Sequence, residues 1–132
     1  MTKIATTLAL ITACWLAGPA RSERLDPAAV YVIDGDTISL NGRSVRLVGF
    51  DTPETHEPEC AYERALAERA THRLEELVRS GAVIELLVLP GLDKYDRRLG
   101  RLLVANRDVG EILTAEGFAR PYDGGHREGW CG

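Results

Sequence analysis

The chain has 132 residues, 45% hydrophobic and 27% charged, which excludes a disordered chain, a collagen-like repeat and a many-span membrane protein and allows one domain. Lys plus Arg is 16 against 20 Asp plus Glu, a net charge of −4, so the chain does not coat nucleic acid by bulk charge. Any work on phosphates must fall to a local arginine cluster or a bound metal.

Residues 1–20 read as a leader rather than part of the fold. Lys3 is followed by the uncharged run Ile4 to Ala17, and Gly18-Pro19-Ala20 puts small residues at the −3 and −1 positions of a signal-peptidase site. The run is shorter than a spanning helix needs, and Gly-Pro ends it. A secreted or periplasmic protein with no stable membrane association is expected, with residues 21–132 as one domain and a monomer. Lipoprotein processing at Cys14 is the minor alternative.

Val30-Tyr31-Val32-Ile33 is β-branched and aromatic, hence a strand, and Asp34-Gly35-Asp36 punctuates it. Thr37 to Leu40 is a second short strand. Asn41-Gly42 is a two-residue hairpin signal, and Arg43 to Phe50 returns as the third strand. Asp51 to Pro58 is a loop. From Glu59 to Ser80 the period changes: Tyr62, Leu66, Ala70, Leu74, Leu77 and Val78 form one helical stripe, with Gly81 beyond its end. Val83 to Leu89 is a strand that Pro90-Gly91 closes, Asp93 to Arg98 a charged loop, and Leu99 to Ala105 the fifth strand. Asp108 and Glu111 start a short helix over Val109 to Glu116. The Gly-rich tail from Phe118 to Gly132 has no period. Five strands in the order β-β-β-α-β-β-α predict an α+β fold, a β-barrel with helices of the OB type.

Hairpin arithmetic brings chemistry together. With Asn41-Gly42 as the turn, Leu40 faces Arg43, Thr37 faces Arg46 and Asp36 faces Leu47. Asp51 reaches Asp36 if the third strand bends, and Gly49 is the place for a bulge. Two carboxylates with backbone carbonyls nearby make a hard-oxygen site, which suits Ca²⁺ better than Zn²⁺. Taken singly, Asp-Gly-Asp reads as a turn, Asp-Thr-Pro-Glu as a helix start, and Asp93-Lys94-Tyr95-Asp96-Arg97 as a solvated loop.

In combination and order, Ile33 to Thr37, Arg46 to Thr55 and Asp93 to Arg97 resemble the signature motifs of the thermonuclease, or staphylococcal nuclease-like, family, over most of Val30 to Tyr122. The resemblance implies an OB-type barrel and Ca²⁺-dependent hydrolysis of DNA and RNA phosphodiesters. By it, Asp36 and Asp51 are calcium ligands and Thr52 offers its backbone carbonyl. Glu54 holds or deprotonates the attacking water, and Arg46 and Arg97 bind phosphate oxygens. Lys94, Tyr95 and Tyr122 line the nucleotide site. The chemistry suits a phosphodiester: guanidiniums hold its oxygens, and a carboxylate beside the water acts as general base. The sequence departs from the family at Asp96, where Gly is common; this makes Arg98 or Arg101 a candidate helper. It also ends without a third helix. His56, His72 and His126 are scattered and read as structural or solvated.

Once the leader is removed, Cys60 and Cys131 are the remaining cysteines, and an oxidising compartment favours pairing them. Such a bridge would tie the Gly-rich tail to the start of the long helix; two free thiols are the alternative. The competing function is a non-catalytic OB module that binds nucleic acid or a protein, because the fold alone decides nothing.

Overall fold

The structure is a computed structural model that describes residues 21–132; the leader expected over residues 1–20, with Cys14, lies outside them. In chain order it contains β1 (Arg21–Leu25), a 3₁₀ turn (Pro27–Ala29), β2 (Val30–Asp34), β3 (Thr37–Leu40), β4 (Arg43–Leu47) and β5 (Gly49–Asp51). There follow α1 (Ala61–Val78), β6 (Ile84–Leu92), β7 (Arg98–Val104), β8 (Arg107–Asp108), α2 (Val109–Ala115) and β9 (Arg120–Tyr122). The main sheet runs β1-β6-β7-β4-β3-β2, with β8 on β7, and β5 pairs with β9 in a second small sheet. The β4–β7 pair is parallel and the others are antiparallel. The two edges, β1 and β2, are neighbouring stretches of one chain joined by the 3₁₀ turn. The sheet therefore curls into a barrel-like α+β fold of the OB type without closing fully.

The expected hairpin register is present, with Leu40 opposite Arg43 and Thr37 opposite Arg46. Three expectations about the strands change. The third strand is two, β4 and β5, because Val48 donates its N–H to Gly100 O at 2.9 Å and Gly49 takes φ +94°, a left-handed conformation that turns the chain. The strand over Val83 to Leu89 does not stop at Pro90-Gly91: β6 runs to Leu92, with a register shift between Val88 and Leu92 that accommodates the proline. Besides the two-residue β8, which pairs with β7, two further strands, β1 and β9, carry too few apolar residues to announce themselves. They form because β6 and β5 offer unpaired backbone edges.

The long helix is shorter than expected, starting at Ala61 after the N-cap Cys60. Leu66, Ala70, Leu74, Leu77 and Val78 are buried, but Tyr62 is 64% exposed and Glu63 is buried in its place. α1 packs on β2, and α2 fills the space between α1, β5 and β7. Asp108 caps α2 by accepting from Gly110 N at 2.7 Å. The core joins Ile38, Val45, Leu47, Phe50, Leu74, Val78, Leu86, Leu102 and Leu113. Burying each such large side chain contributes roughly 1.5–3 kcal/mol. That core holds the β2–β3 turn, the end of β4 and the whole of β5 at one end of the barrel.

Candidate active site

The Asp34-Gly35-Asp36 turn sits between β2 and β3. Asp36 N donates to Asp34 Oδ1 at 3.2 Å, and Leu47 N donates to Asp36 O at 2.8 Å, which fastens the end of β4 to the turn. Asp36 is itself buried. Its Oδ1 accepts from Thr37 Oγ1 and its Oδ2 from Thr52 N, both at 3.1 Å. Gly35 has a steric role: a Cβ there would lie 2.8 Å from the Thr52 side chain and 2.9 Å from Ala70 Cβ. The turn therefore needs glycine for close approach, not for its backbone angles.

Arg46 reaches from β4 across this turn. Its Nη2 lies 3.3 Å from Asp36 Oδ2 and 3.6 Å from Asp51 Oδ1, so a carboxylate from the turn and one from β5 converge on one nitrogen. The same guanidinium donates to the carbonyls of Asp36 (3.3 Å), Phe50 (3.0 Å) and Leu47. Asp51 is fully buried. It is neutralised further by Arg127 Nη2 at 2.6 Å and Arg120 Nη2 at 3.3 Å. Arg127 Nη1 donates to Glu54 at 2.8 Å.

Four carboxylates thus gather at this end of the barrel. Burial, the neighbouring Asp36 charge and hydrogen bond, and Glu54 raise the Asp34 pKa to about 7. Arg127 shows the opposite balance. Partial burial works against its charge, but its hydrogen bonds and ion pairs with Glu54 and Asp51 outweigh that and raise its pKa.

The facing wall is the loop after β6. Asp93 Oδ1 accepts from Tyr95 N and Arg97 N, and its Oδ2 accepts from Arg97 Nε at 2.7 Å. Burial acts to raise the Asp93 pKa, but these Arg97 and Tyr95 hydrogen bonds hold it below the usual carboxylate value. Asp96 takes φ +59°, the left-handed conformation that Asp tolerates at a position where glycine is common. The Tyr95 ring has Lys94 Nζ at 5.0 Å and Arg97 Cζ at 5.3 Å from its centroid, so both cations contact its face. Arg46, Lys94, Tyr95, Arg97, Tyr122 and Arg127 line one open cleft of about 850 Å³. Tyr122 OH donates to Gly125 O at 2.7 Å.

The structure thus brings Asp36, Asp51, Thr52 and Arg46 into direct contact and links Glu54 to them through Arg127. It sets Arg97, Lys94, Tyr95 and Tyr122 on the same cleft, with Arg97 held by Asp93. Arg98 pairs with Glu23 at 3.2 Å and Arg101 with Asp108 at 2.7 Å, and neither is among the residues that line the cleft. His56 and His72 are solvated, whereas His126 lines the cleft. Cys60 and Cys131 form a disulfide, with Cα atoms 6.1 Å apart. Glu59 and Glu63 gather beside Cys131, but a disulfide sulfur is no thiolate ligand.

Sequence reasoning missed Arg120 and Arg127. The signal for Arg127 was indirect. A bridge from Cys131 to Cys60 returns the tail to the residues just after the Asp51–Glu54 loop, and Arg127 lies four positions before that anchor.

An OB-type barrel bearing an acidic turn and an arginine-lined cleft defines the architectural class. A family model described as staphylococcal nuclease homologue matches residues 44–128, and the chain belongs to that family. It is 38% identical over 103 residues to the SPbeta prophage-derived endonuclease YokF of Bacillus subtilis strain 168, covering 74% of this chain and 34% of that one. Identity to endonuclease YncB of the same organism is 41% over 93 residues, covering 67% and 44%. Identity to the uncharacterized protein MJ1439 of Methanocaldococcus jannaschii is 31% over 118 residues, covering 70% and 57%. The matches therefore span less than half of either endonuclease.

Proposed function

We propose that this chain is a Ca²⁺-dependent nuclease that hydrolyses phosphodiester bonds of DNA or RNA with little sequence preference. The carrying observation is the convergence of Asp36 and Asp51 on one cationic nitrogen, at 3.3 and 3.6 Å, beside an arginine-lined cleft. The two relatives named as endonucleases support the same reading.

The residues fit a hard divalent cation. The donors are carboxylates and carbonyls without His or thiolate, which suits Ca²⁺. Thr52 Oγ1 is buried without a hydrogen-bond partner, next to the Thr52 N–H that orients Asp36. Asp36, Asp51 and the Thr52 carbonyl would hold the ion. When bound, Ca²⁺ supplies Lewis-acid polarisation of a phosphoryl oxygen and neutralises charge.

The chain's own residues do the rest. Arg46 and Arg97 bind the nonbridging phosphate oxygens, most strongly as charge builds in the transition state. Glu54 accepts the proton of the attacking water at a carboxylate oxygen, help worth roughly 10²–10⁴-fold. Lys94 contributes charge, and Tyr95 and Tyr122 offer rings and hydroxyls to sugar or base without reading sequence. The protein acts as a monomer after removal of residues 1–20, in a secreted or periplasmic setting. The disulfide supports that compartment. Lipid attachment at Cys14 would instead leave the same domain anchored at an envelope surface.

Incubation of the purified mature chain with denatured DNA and with RNA tests this reading. Cleavage is expected with Ca²⁺, little with Mg²⁺, and none with a chelator. Tight binding without cleavage would identify a binding module. Equal cleavage in chelator would remove the metal from the mechanism.

A further inference from the structure

The tail after β9 is built as a strap. Its far end is fixed by the Cys60–Cys131 disulfide, and Cys60 directly follows the loop that carries Asp51, Thr52 and Glu54. Its near end is fixed by β9, which pairs with β5, and Arg120 on that strand reaches forward to the far end, donating to the carbonyls of Glu128 and Gly129 and lying 4.0 Å over the Trp130 ring. Between these anchors the strap presents one guanidinium, that of Arg127, to the site. Its two terminal nitrogens go to different carboxylates: Nη2 to Asp51 at 2.6 Å and Nη1 to Glu54 at 2.8 Å.

Glu54 needs such a partner. It stands in an irregular stretch between β5 and α1, and its side chain is 47% exposed. Among the described residues its carboxylate has no hydrogen bond except that from Arg127. Lateral repulsion from Asp51 would push it outward. A planar guanidinium bonded to both fixes their separation and cancels that repulsion.

We propose that Arg127 is a further positioning residue of the site, carried there by the disulfide-closed strap, and that it holds the Glu54 carboxylate in line for proton transfer. The inference rests on the nuclease reading above. A side chain only about an ångström out of place costs catalysis far more than it costs binding. The strap therefore acts on turnover. It also makes the active geometry depend on an oxidised Cys60–Cys131 pair.

The test uses the full oxidised mature chain. Arg127→Ala is expected to keep a cooperative melting transition, lose roughly tenfold or more in kcat, and change KM by less than about threefold. Arg127→Lys should recover only part of the loss, since an ammonium cannot bridge both carboxylates as a planar fork does. Millimolar methylguanidine should restore part of the Arg127→Ala activity. In a Glu54→Gln background, Arg127→Ala should cost less than about a further twofold, because residues acting as one unit are not additive.

A readout without substrate or metal is the guanidinium NMR signal of Arg127. It should show slowed rotation in the wild type and faster rotation in Glu54→Gln, where the bond to Asp51 is the charged contact that remains. Unchanged kcat in a folded Arg127→Ala or Arg127→Lys chain would overturn the inference. So would full additivity with Glu54→Gln, a rise in KM alone, or fast averaging in the wild type. In each of those cases wild-type cleavage leaves the nuclease reading standing. A wild-type chain that cleaves nothing overturns both.

Discussion

Arg120 stands directly opposite Asp51 in the β5–β9 pair, with its Nη2 3.3 Å from Asp51 Oδ2. The strand pairing thus delivers a cation to a fully buried carboxylate that already has Arg46 and Arg127 beside it. Burying a charge is costly unless it is paired and hydrogen-bonded. The short β9 is therefore part of the electrostatics of the site and not just an ornament of the tail.

Arg120→Ala should accordingly destabilise the chain by about 3 kcal/mol, the usual cost of removing one partner of a buried ion pair. The loss includes the stack on Trp130 and the bonds to the tail carbonyls. Arg120→Lys should recover little of it, because an ammonium cannot stack and fork at once. Denaturant midpoints of the oxidised proteins check this; a midpoint unchanged in Arg120→Ala would show that Arg46 and Arg127 suffice.

Glu54→Gln and Arg97→Ala should behave differently from Arg120→Ala. Both residues are partly exposed and lie outside the core. Stability should move by no more than about 0.5 kcal/mol in Glu54→Gln, and somewhat more in Arg97→Ala, which leaves Asp93 without its partner. Turnover should fall at least about tenfold in each, or roughly 1.4 kcal/mol of barrier. Wild-type rates with unchanged melting curves would misplace the site.

The site was legible in the sequence wherever it rests on local geometry. Asn41-Gly42 dictates the hairpin, and the hairpin puts Thr37 against Arg46. Asp36 and Asp51 meet because Gly49 turns the chain at the end of β4. What sequence could not supply is pairing driven by a free edge. Arg21–Leu25 and Arg120–Tyr122 have no apolar alternation, and each becomes a strand only because another strand's backbone is open beside it. Arg120 was invisible for that reason, its position following from β9, and Arg127 was marked only indirectly, by the disulfide four residues beyond it. Tyr62 shows the converse, an apolar residue in helical period that faces solvent while Glu63 is buried near the disulfide.

Gly35→Ala should damage the site by crowding. The added methyl meets the Thr52 side chain at 2.8 Å and Ala70 Cβ at 2.9 Å, and α1 cannot easily retreat because Ala70 is fully buried. Overpacking of this kind costs about 1–3 kcal/mol. Because Thr52 N holds Asp36 Oδ2, the displaced loop should also weaken Ca²⁺ binding measured by calorimetry on the substrate-free chain. Wild-type affinity with a lowered melting temperature would separate packing from the cation site.

Reduction of the disulfide should cost stability and loosen the strap together. The bridge closes a span of 71 residues. On the chain-entropy model, a loop of that length contributes roughly 4 kcal/mol by restricting the unfolded chain. The folded chain loses more than that argument counts. Beyond Tyr122 the tail has no strand or helix, and two arginines are left to hold it: Arg120, through two carbonyls and the Trp130 ring, and Arg127, through Asp51 and Glu54. Thiol labelling of unreduced protein spanning residues 21–132 should give no label. Reduced protein, or Cys131→Ser, should melt well below the oxidised form, with amide exchange over residues 123–132 rising before the barrel opens. Two labels per unreduced chain would mean that the thiols are free in solution. Equal melting of the two forms would mean that the arginine contacts, and not the bridge, hold the strap.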